Sequence, residues 1–302
     1  GLNWTDLGTQ YYQLIIHSLS NLGNGIALAG TQPNGLILRS IDYGATWSDL
    51  GTQFGQTTIQ ALAYLENGIA LAGANPDGKL LRSTDYGSNW SDLGTPVRRT
   101  DIYSLCYLEN GIALLGTDYR AHIARSIDYG VNWSDLGKFF SQDFIYSLIY
   151  LENGIALAGT SPDGLILRST DYGSTWSSLG TQFSQSYIYA FSYLGDGVVL
   201  AATAAGGLIL RSTDYGATWS NLGQQAGETI IRAFANFGNG TVVAGTSSHA
   251  KILRSTDYGL NWTDLGQQFG QTYLPSLAYL DNHIGVAGTG INGKILRSVP
   301  SS

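Results

Sequence analysis

The chain has 302 residues, 43% hydrophobic and only 12% charged, with a net charge of −7. That balance supplies a sizeable core, argues against a general nucleic-acid binder, which needs a basic face, and contains no apolar run of membrane-spanning length. A single cysteine, Cys106, excludes an intrachain disulfide, and its apolar surroundings mark it as a core residue rather than a reactive thiol.

In chain order the first landmark is Trp4, and it starts a clock. Trp47, Trp90, Trp133, Trp176, Trp219 and Trp262 follow at a spacing of 43 residues. Arg39, Arg82, Arg125, Arg168, Arg211, Arg254 and Arg297 keep the same interval. A period near 40 is the signature of propeller blades or solenoid turns, and seven such units account for the whole chain.

Within the unit that starts at Trp47, an outermost strand D covers Trp47–Leu50 and a loop runs through Gln56. Strand A, facing the central channel, spans about Ile59–Leu65, and Asn67-Gly68 forms a tight hairpin because this pair accepts positive φ angles. Strand B follows at Ile69–Gly73, a Pro-Asp-Gly turn at Pro76–Gly78, and strand C at Lys79–Ser83. Short apolar runs bounded by Gly, Asn, Asp and Pro read as strands. Four antiparallel strands in each of seven repeats predict an all-β, seven-bladed β-propeller, a single domain over residues 1–302.

Between strands C and D each unit reads Ser-x-Asp-Tyr-Gly-x-x-Trp, as at Ser83, Asp85, Gly87 and Trp90, with six intact copies from Ser40 to Trp262. This pattern resembles the Asp box, or bacterial neuraminidase repeat, and the resemblance covers the whole chain. One departure is a Tyr between Asp and Gly, where Gly is common. The Asp carboxylate is suited to accept nearby backbone N–H groups and hold the turn, and the Trp to bury its ring against the next blade. The family places the box at the outer, lower corner of the blade, so Asp and Trp read as structural. The periodic Arg reads as the partner of a neighbouring carboxylate or carbonyl.

The seventh box is split between the chain ends: Arg297-Ser298 begins it and Gly1-Leu2-Asn3-Trp4 completes it. The N-terminal segment should therefore be strand D of the C-terminal blade, closing the ring as a monomer without exposed sheet edges. No signal peptide stands at Gly1, and the absence of methionine points to a removed leader, tag or larger parent chain. A secreted or cell-surface location is the expectation.

Two loops, D-to-A and B-to-C, vary between units while the other two barely change; in a propeller the variable pair shares the upper face. Drift and ligand binding both account for that contrast. Thirteen residues after each Trp, the first outward position of strand A holds His17, Gln60, Tyr103, Tyr146, Tyr189, Arg232 and Pro275. This register should ring the channel mouth, with the three Tyr on one arc and His17 and Arg232 across from them. Such side chains suit a polar, polyhydroxylated ligand. Seven residues after each Trp stand Tyr11, Phe54, Phe140, Phe183 and Phe269, a register broken by Val97 and Ala226, and these aromatics serve either as sugar-stacking platforms or as lids folded on the blade.

The third unit departs from the rest with Arg98, Arg99, Asp101, Asp118, Tyr119, Arg120 and His122. The arginines there would bind an anionic group or form a solvated ion-pair cluster with the two Asp. Asp101 and Asp118 are the one plausible carboxyl pair for glycoside hydrolysis, but Arg neighbours should depress both pKa values, the wrong direction for an acid. His17, His122, His249 and His283 lie in different units without ligand spacing, so neither a metal nor a cofactor is expected. The reading is a non-catalytic module whose upper face binds carbohydrate multivalently. The alternative is a protein-interaction scaffold, since the chain also looks like the seven-bladed photosystem II assembly factors, which carry an Arg-rich upper patch answered here by Arg98, Arg99 and Arg120. A glycoside hydrolase is the third reading. It lacks the six blades and Arg-Ile-Pro motif of sialidases and the paired propellers of xyloglucan-cleaving enzymes.

Overall fold

A computed structural model describes residues 2–97 and 100–300, and for 2, 299 and 300 the backbone alone. Seven sheets, each of four antiparallel strands in the order A-B-C-D, follow one another around a ring. Blade 1 comprises Ile15–Gly23, Ile26–Gln32, Leu36–Ser40 and Ser48–Thr52. Strand A of blades 2 to 7 is Thr58–Glu66, Ile102–Tyr107, Phe144–Tyr150, Ile188–Gly195, Ile230–Gly238 and Ser276–Tyr279. The seven-bladed, all-β expectation holds, and strand limits fall within a few residues of those read from the sequence.

The ring closes as the split box requires. Leu2–Thr9 pairs antiparallel with Lys294–Pro300, strand C of blade 7, with Trp4 opposite Ser298. Lys294 Nζ donates to Asp6 Oδ2 at 2.5 Å across the same pair. The junction between the last and first blades matches the others: Ser276 Oγ donates to the Ile16 carbonyl at 2.8 Å, as Ser104 Oγ does to Ile145 at 3.0 Å.

The core is a series of wedges between adjacent blades, not one central mass. Leu71 and Leu80 of blade 2, for example, pack with Ile102, Leu115 and Ala124 of blade 3. Close approach at the wedges selects glycine at one position of strand B in six blades, while blade 5 carries Ala202 there. A Cβ on Gly116 would lie 2.4 Å from Ile145 Cγ2 and 2.5 Å from Ser104 Oγ, so no side chain fits there.

Box geometry is nearly identical in its six intact copies. In the first, Asp42 Oδ1 accepts the Thr46 N–H at 2.9 Å, Gly44 N donates to Ser40 Oγ at 2.9 Å, and Trp47 Nε1 donates to the Gly44 carbonyl at 3.1 Å. Burial alone would raise the Asp42 carboxyl pKa, but the combined hydrogen bonds from Thr46, Ser40 and Ala45 outweigh it and hold it low. The Tyr of the box explains itself. Tyr86 adopts φ 56°, and its ring fills the space beside Gly68, where a Cβ would meet Tyr86 Cε2 at 2.9 Å. The A–B hairpin thus needs glycine because the box carries tyrosine.

Two expectations about the periodic residues resolve differently. The box Trp packs on the preceding blade, not the next one: Trp133 of blade 3 joins Leu65, Leu71 and Leu80 of blade 2. The preceding blade is the one its turn leans over, since a Cβ on Gly130 of the same box would touch Leu71. The periodic Arg does pair with a carbonyl. Arg39 Nε donates to the Tyr86 carbonyl at 2.8 Å, and Arg82, Arg125, Arg168, Arg211 and Arg297 repeat the bond one blade on. For Arg254 the corresponding position is residue 301, outside the described residues.

Candidate functional site

Strand A alternates between blade contacts and the channel. Buried positions such as Ile145 and Ile188 fill the wedges, which turns their neighbours Tyr146 and Tyr189 inward. The result is a cavity of about 780 Å³ at the upper mouth, lined by His17, Gln60, Tyr103, Tyr146, Tyr189 and Arg232 among others. Five of the eight candidate residues therefore converge on one site, and the volume lies within the usual range for ligand pockets.

Aromatic rings form a continuous arc along one side. Tyr103 meets Tyr146 edge-on at 5.6 Å between centroids, and Tyr146 meets Tyr189 at 5.1 Å. Phe144 stacks on Tyr146 at 5.0 Å and 11°, and Tyr187 stacks on Tyr189 at 5.3 Å and 13°. The three Tyr are thus half-buried against one another rather than standing free. Burial raises the phenol pKa of Tyr103, Tyr146, Tyr189 and Tyr273, which keeps each hydroxyl a proton donor at neutral pH.

Arg232 does not stand across the mouth from this arc. Its guanidinium carbon lies 4.4 Å from the Tyr189 ring centroid and 5.9 Å from that of Tyr273, so it continues the arc. The reason is that blade 6 follows blade 5 directly, and a long Arg side chain lies down on the nearest aromatic face. His17 sits at the mouth with Nε2 2.6 Å from Gln32 Oε1. Burial, opposed by the Gln32 hydrogen bond and assisted by the Arg232 charge, lowers its pKa, so the imidazole is neutral at pH 7.

At the other end of the arc stand the acids of blade 3. Asp101 lines the cavity, and its backbone N–H donates to Asp118 Oδ1 at 2.7 Å. The expectation that arginines would depress these two groups fails. Burial, the neighbouring Asp118 and Asp77 raise Asp101 to about 6, and burial raises Asp118 despite hydrogen bonds from the backbone. Among the described residues no arginine lies within ion-pair distance of either.

Arg120 is not part of the mouth. It is exposed and lies over Tyr119, 5.2 Å from the ring centroid, beside a separate rim cavity of about 500 Å³ with His122 and Asp135. His122 Nδ1 lies 2.9 Å from Asp135 Oδ1. Tyr119, Arg120 and Ala121 all adopt left-handed φ angles, 38°, 86° and 46°, so this turn bends the Arg outward. Arg98 and Arg99 lie outside the described residues. The loop aromatics are neither covered lids nor free plates: Phe54, Phe140, Phe183 and Phe269 are 43–47% exposed at the rim.

Phe144, Tyr187 and Tyr273 belong to the same arc and lie eleven residues after their Trp, one alternation before the register read from the sequence. The signal was available, because residues two apart on a strand share a face. It was weak because the equivalent position elsewhere holds Ile15, Thr58, Asp101 and Ile230.

No family model and no curated protein sequence matches the chain. Solved structures do. YCF48 bound to D1 peptide superposes with a TM-score of 0.78 at 17% identity, covering 99% of this chain and 97% of that one. YCF48 from Cyanidioschyzon merolae gives 0.76 at 18% identity, covering 97% of this chain and 98% of the other. A virginiamycin B lyase from Staphylococcus aureus with quinupristin gives 0.87 at 13% identity over 100% of both chains. The shared feature is the fold, a seven-bladed propeller. At these identities the likeness extends to the fold alone.

Proposed function

We propose that the chain is a non-catalytic binding module that receives an extended segment of a partner protein in its channel mouth. The observation that carries this reading is the arrangement of that mouth: a continuous phenol-bearing arc between a carboxyl group, Asp101, and a guanidinium, Arg232. Peptides present alternating hydrogen-bonding groups, apolar side chains and charges, and such a lining answers all three. A neutral glycan would use ring faces, and here the rings of Tyr146 and Tyr189 are covered by Phe144, Tyr187 and Arg232. The peptide-bound YCF48 structure, alike in fold, adds weight to the choice.

The absence of catalysis is inferred from the acids. Glycoside hydrolysis requires two carboxyl groups directed at one bond. Of the raised pair only Asp101 lines the cavity, while Asp118 Oδ1 is engaged by the Asp101 backbone. A specific observation favours carbohydrate as the second reading: the repeated, part-exposed Phe54, Phe140, Phe183 and Phe269 would offer weak sites that add by avidity.

Selection from a random peptide library beside a glycan array, each with wild type and Tyr146→Ala, decides between them. Peptides should be enriched, and their binding should weaken at least tenfold in the variant. Glycan binding that depends on the loop Phe residues, with no mouth-dependent peptide, would establish the second reading instead.

A further inference from the structure

Arg232 is the one cation that lines the mouth among the described residues, and it differs from the other arginines of the ring. Six of the seven periodic Arg side chains spend their Nε on a tyrosine carbonyl of the next blade, as Arg168 does with Tyr215 at 3.0 Å, and for the seventh, Arg254, the corresponding position lies outside the described residues. Arg232 Nε is buried without a hydrogen-bond partner, and no carboxylate among the described residues lies within ion-pair distance. Its guanidinium is held in place by the rings of Tyr189 and Tyr273. A stacked guanidinium keeps its N–H edge available, and a buried donor left unpaired is costly until an acceptor arrives.

We infer that Arg232 is a carboxylate subsite: the segment bound in the mouth delivers a carboxylate to the N–H edge of Arg232. This rests on the reading of the mouth as a peptide site and names the group that is recognised. Three features select a carboxylate. The guanidinium fork matches its two oxygens. A single cation balances a monoanion, whereas a phosphate dianion would call for a second cation, and Arg232 is the one cation lining the mouth among the described residues. Asp101, at the far end of the Tyr arc, repels an anion and so orients the segment with its carboxylate end toward blade 6. A chain terminus and an acidic side chain offer the same group.

His17 provides an internal reporter. It faces the same cavity, and burial together with the Arg232 charge keeps it neutral. A carboxylate on Arg232 would cancel that charge and raise the His17 pKa.

The test follows the His17 ring resonances by NMR in the full chain, with four probes. These are N-acetylglycine, N-acetylglycinamide, N-acetylglutamate α-amide and inorganic phosphate. The two carboxylates should bind at least tenfold tighter than the neutral amide and shift the His17 titration upward. Whichever of them binds more tightly identifies the source as terminus or side chain. Arg232→Gln should raise the His17 pKa in the free protein and abolish the preference over the amide. Arg232→Lys, which keeps the charge without the fork, should retain a weakened preference and guards against a misfolded Gln variant. Equal binding of amide and carboxylate, or phosphate binding tighter than either carboxylate, overturns the subsite. If library peptides still bind at the mouth in that case, the peptide reading survives alone. Peptides that bind independently of Tyr146 would remove that reading itself.

Discussion

Arg125 reaches 47 residues along the chain to donate its Nε to the Tyr172 carbonyl at 2.8 Å. The bond ties strand C of blade 3 to the box turn of blade 4, and its repetition makes the lower rim a belt of inter-blade clasps. The acceptor is the same tyrosine that fills the space beside the A–B hairpin glycine, Gly154. One residue thus fixes a turn with its ring and a blade junction with its backbone.

Replacing Arg125 with Met keeps most of the side-chain volume and removes the donor. Loss of a hydrogen bond from a charged group should destabilise the ring by about 1.5–3 kcal/mol. Urea denaturation of Arg125→Met measures it, and an unchanged midpoint would show that the clasp contributes nothing net.

Closure makes a sharper prediction. Deleting residues 2–8 exposes strand C of blade 7 as a sheet edge and removes Trp4 from the core cluster it packs against between blades 6 and 7. Such a chain should melt at a lower temperature and self-associate in light scattering. Asp6→Asn alone, which removes only the part-buried ion pair with Lys294, should cost about 1 kcal/mol. A deletion no worse than that point change would refute the closing strand.

Tyr146 separates packing from recognition. Its ring contacts Tyr103, Phe144, Tyr187 and Tyr189, so Tyr146→Ala should lower both stability and affinity. Tyr146→Phe keeps the ring and deletes the hydroxyl, and should leave the melting curve unchanged while weakening peptide binding by about 1 kcal/mol. Calorimetric titration beside thermal melts tells these apart; an unaltered affinity would make the phenol a packing residue alone.

Asp101 carries a pH dependence. Its folded pKa of about 6 lies above the ordinary carboxylate value because burial, Asp118 and Asp77 disfavour the charged form. Between that ordinary value, 3.8, and about 6 the folded chain binds more protons than the unfolded one, so this group's contribution falls as pH rises through the window. Asp101→Asn should therefore raise the melting temperature at pH 7 and change it little at pH 3.5. A variant less stable than wild type at pH 7 would mean that the carboxylate is paired in solution.

Much of this architecture is determined by the sequence itself. A 43-residue clock of Trp and Arg, Asn-Gly hairpins and the Ser-x-Asp-Tyr-Gly turn settle strand number, blade count and closure, because each depends on a few neighbouring residues and a period of two. Alternation along strand A also puts His17, Tyr103, Tyr146, Tyr189 and Arg232 at one mouth. What those side chains do there was decided by the tertiary structure. Whether Trp133 leans on the blade before or after it depends on how successive sheets are inclined, and no local pattern encodes that angle. Asp101 and Asp118 lie in different loops, and their burial, joined at Asp101 by the charges of Asp118 and Asp77, sets the sign of their pKa shifts. Arg232 has several rotatable bonds, and the positions of Tyr189 and Tyr273 on the neighbouring blades choose among its conformers. Local rules fix where a side chain starts; the packing of blade against blade fixes where it ends.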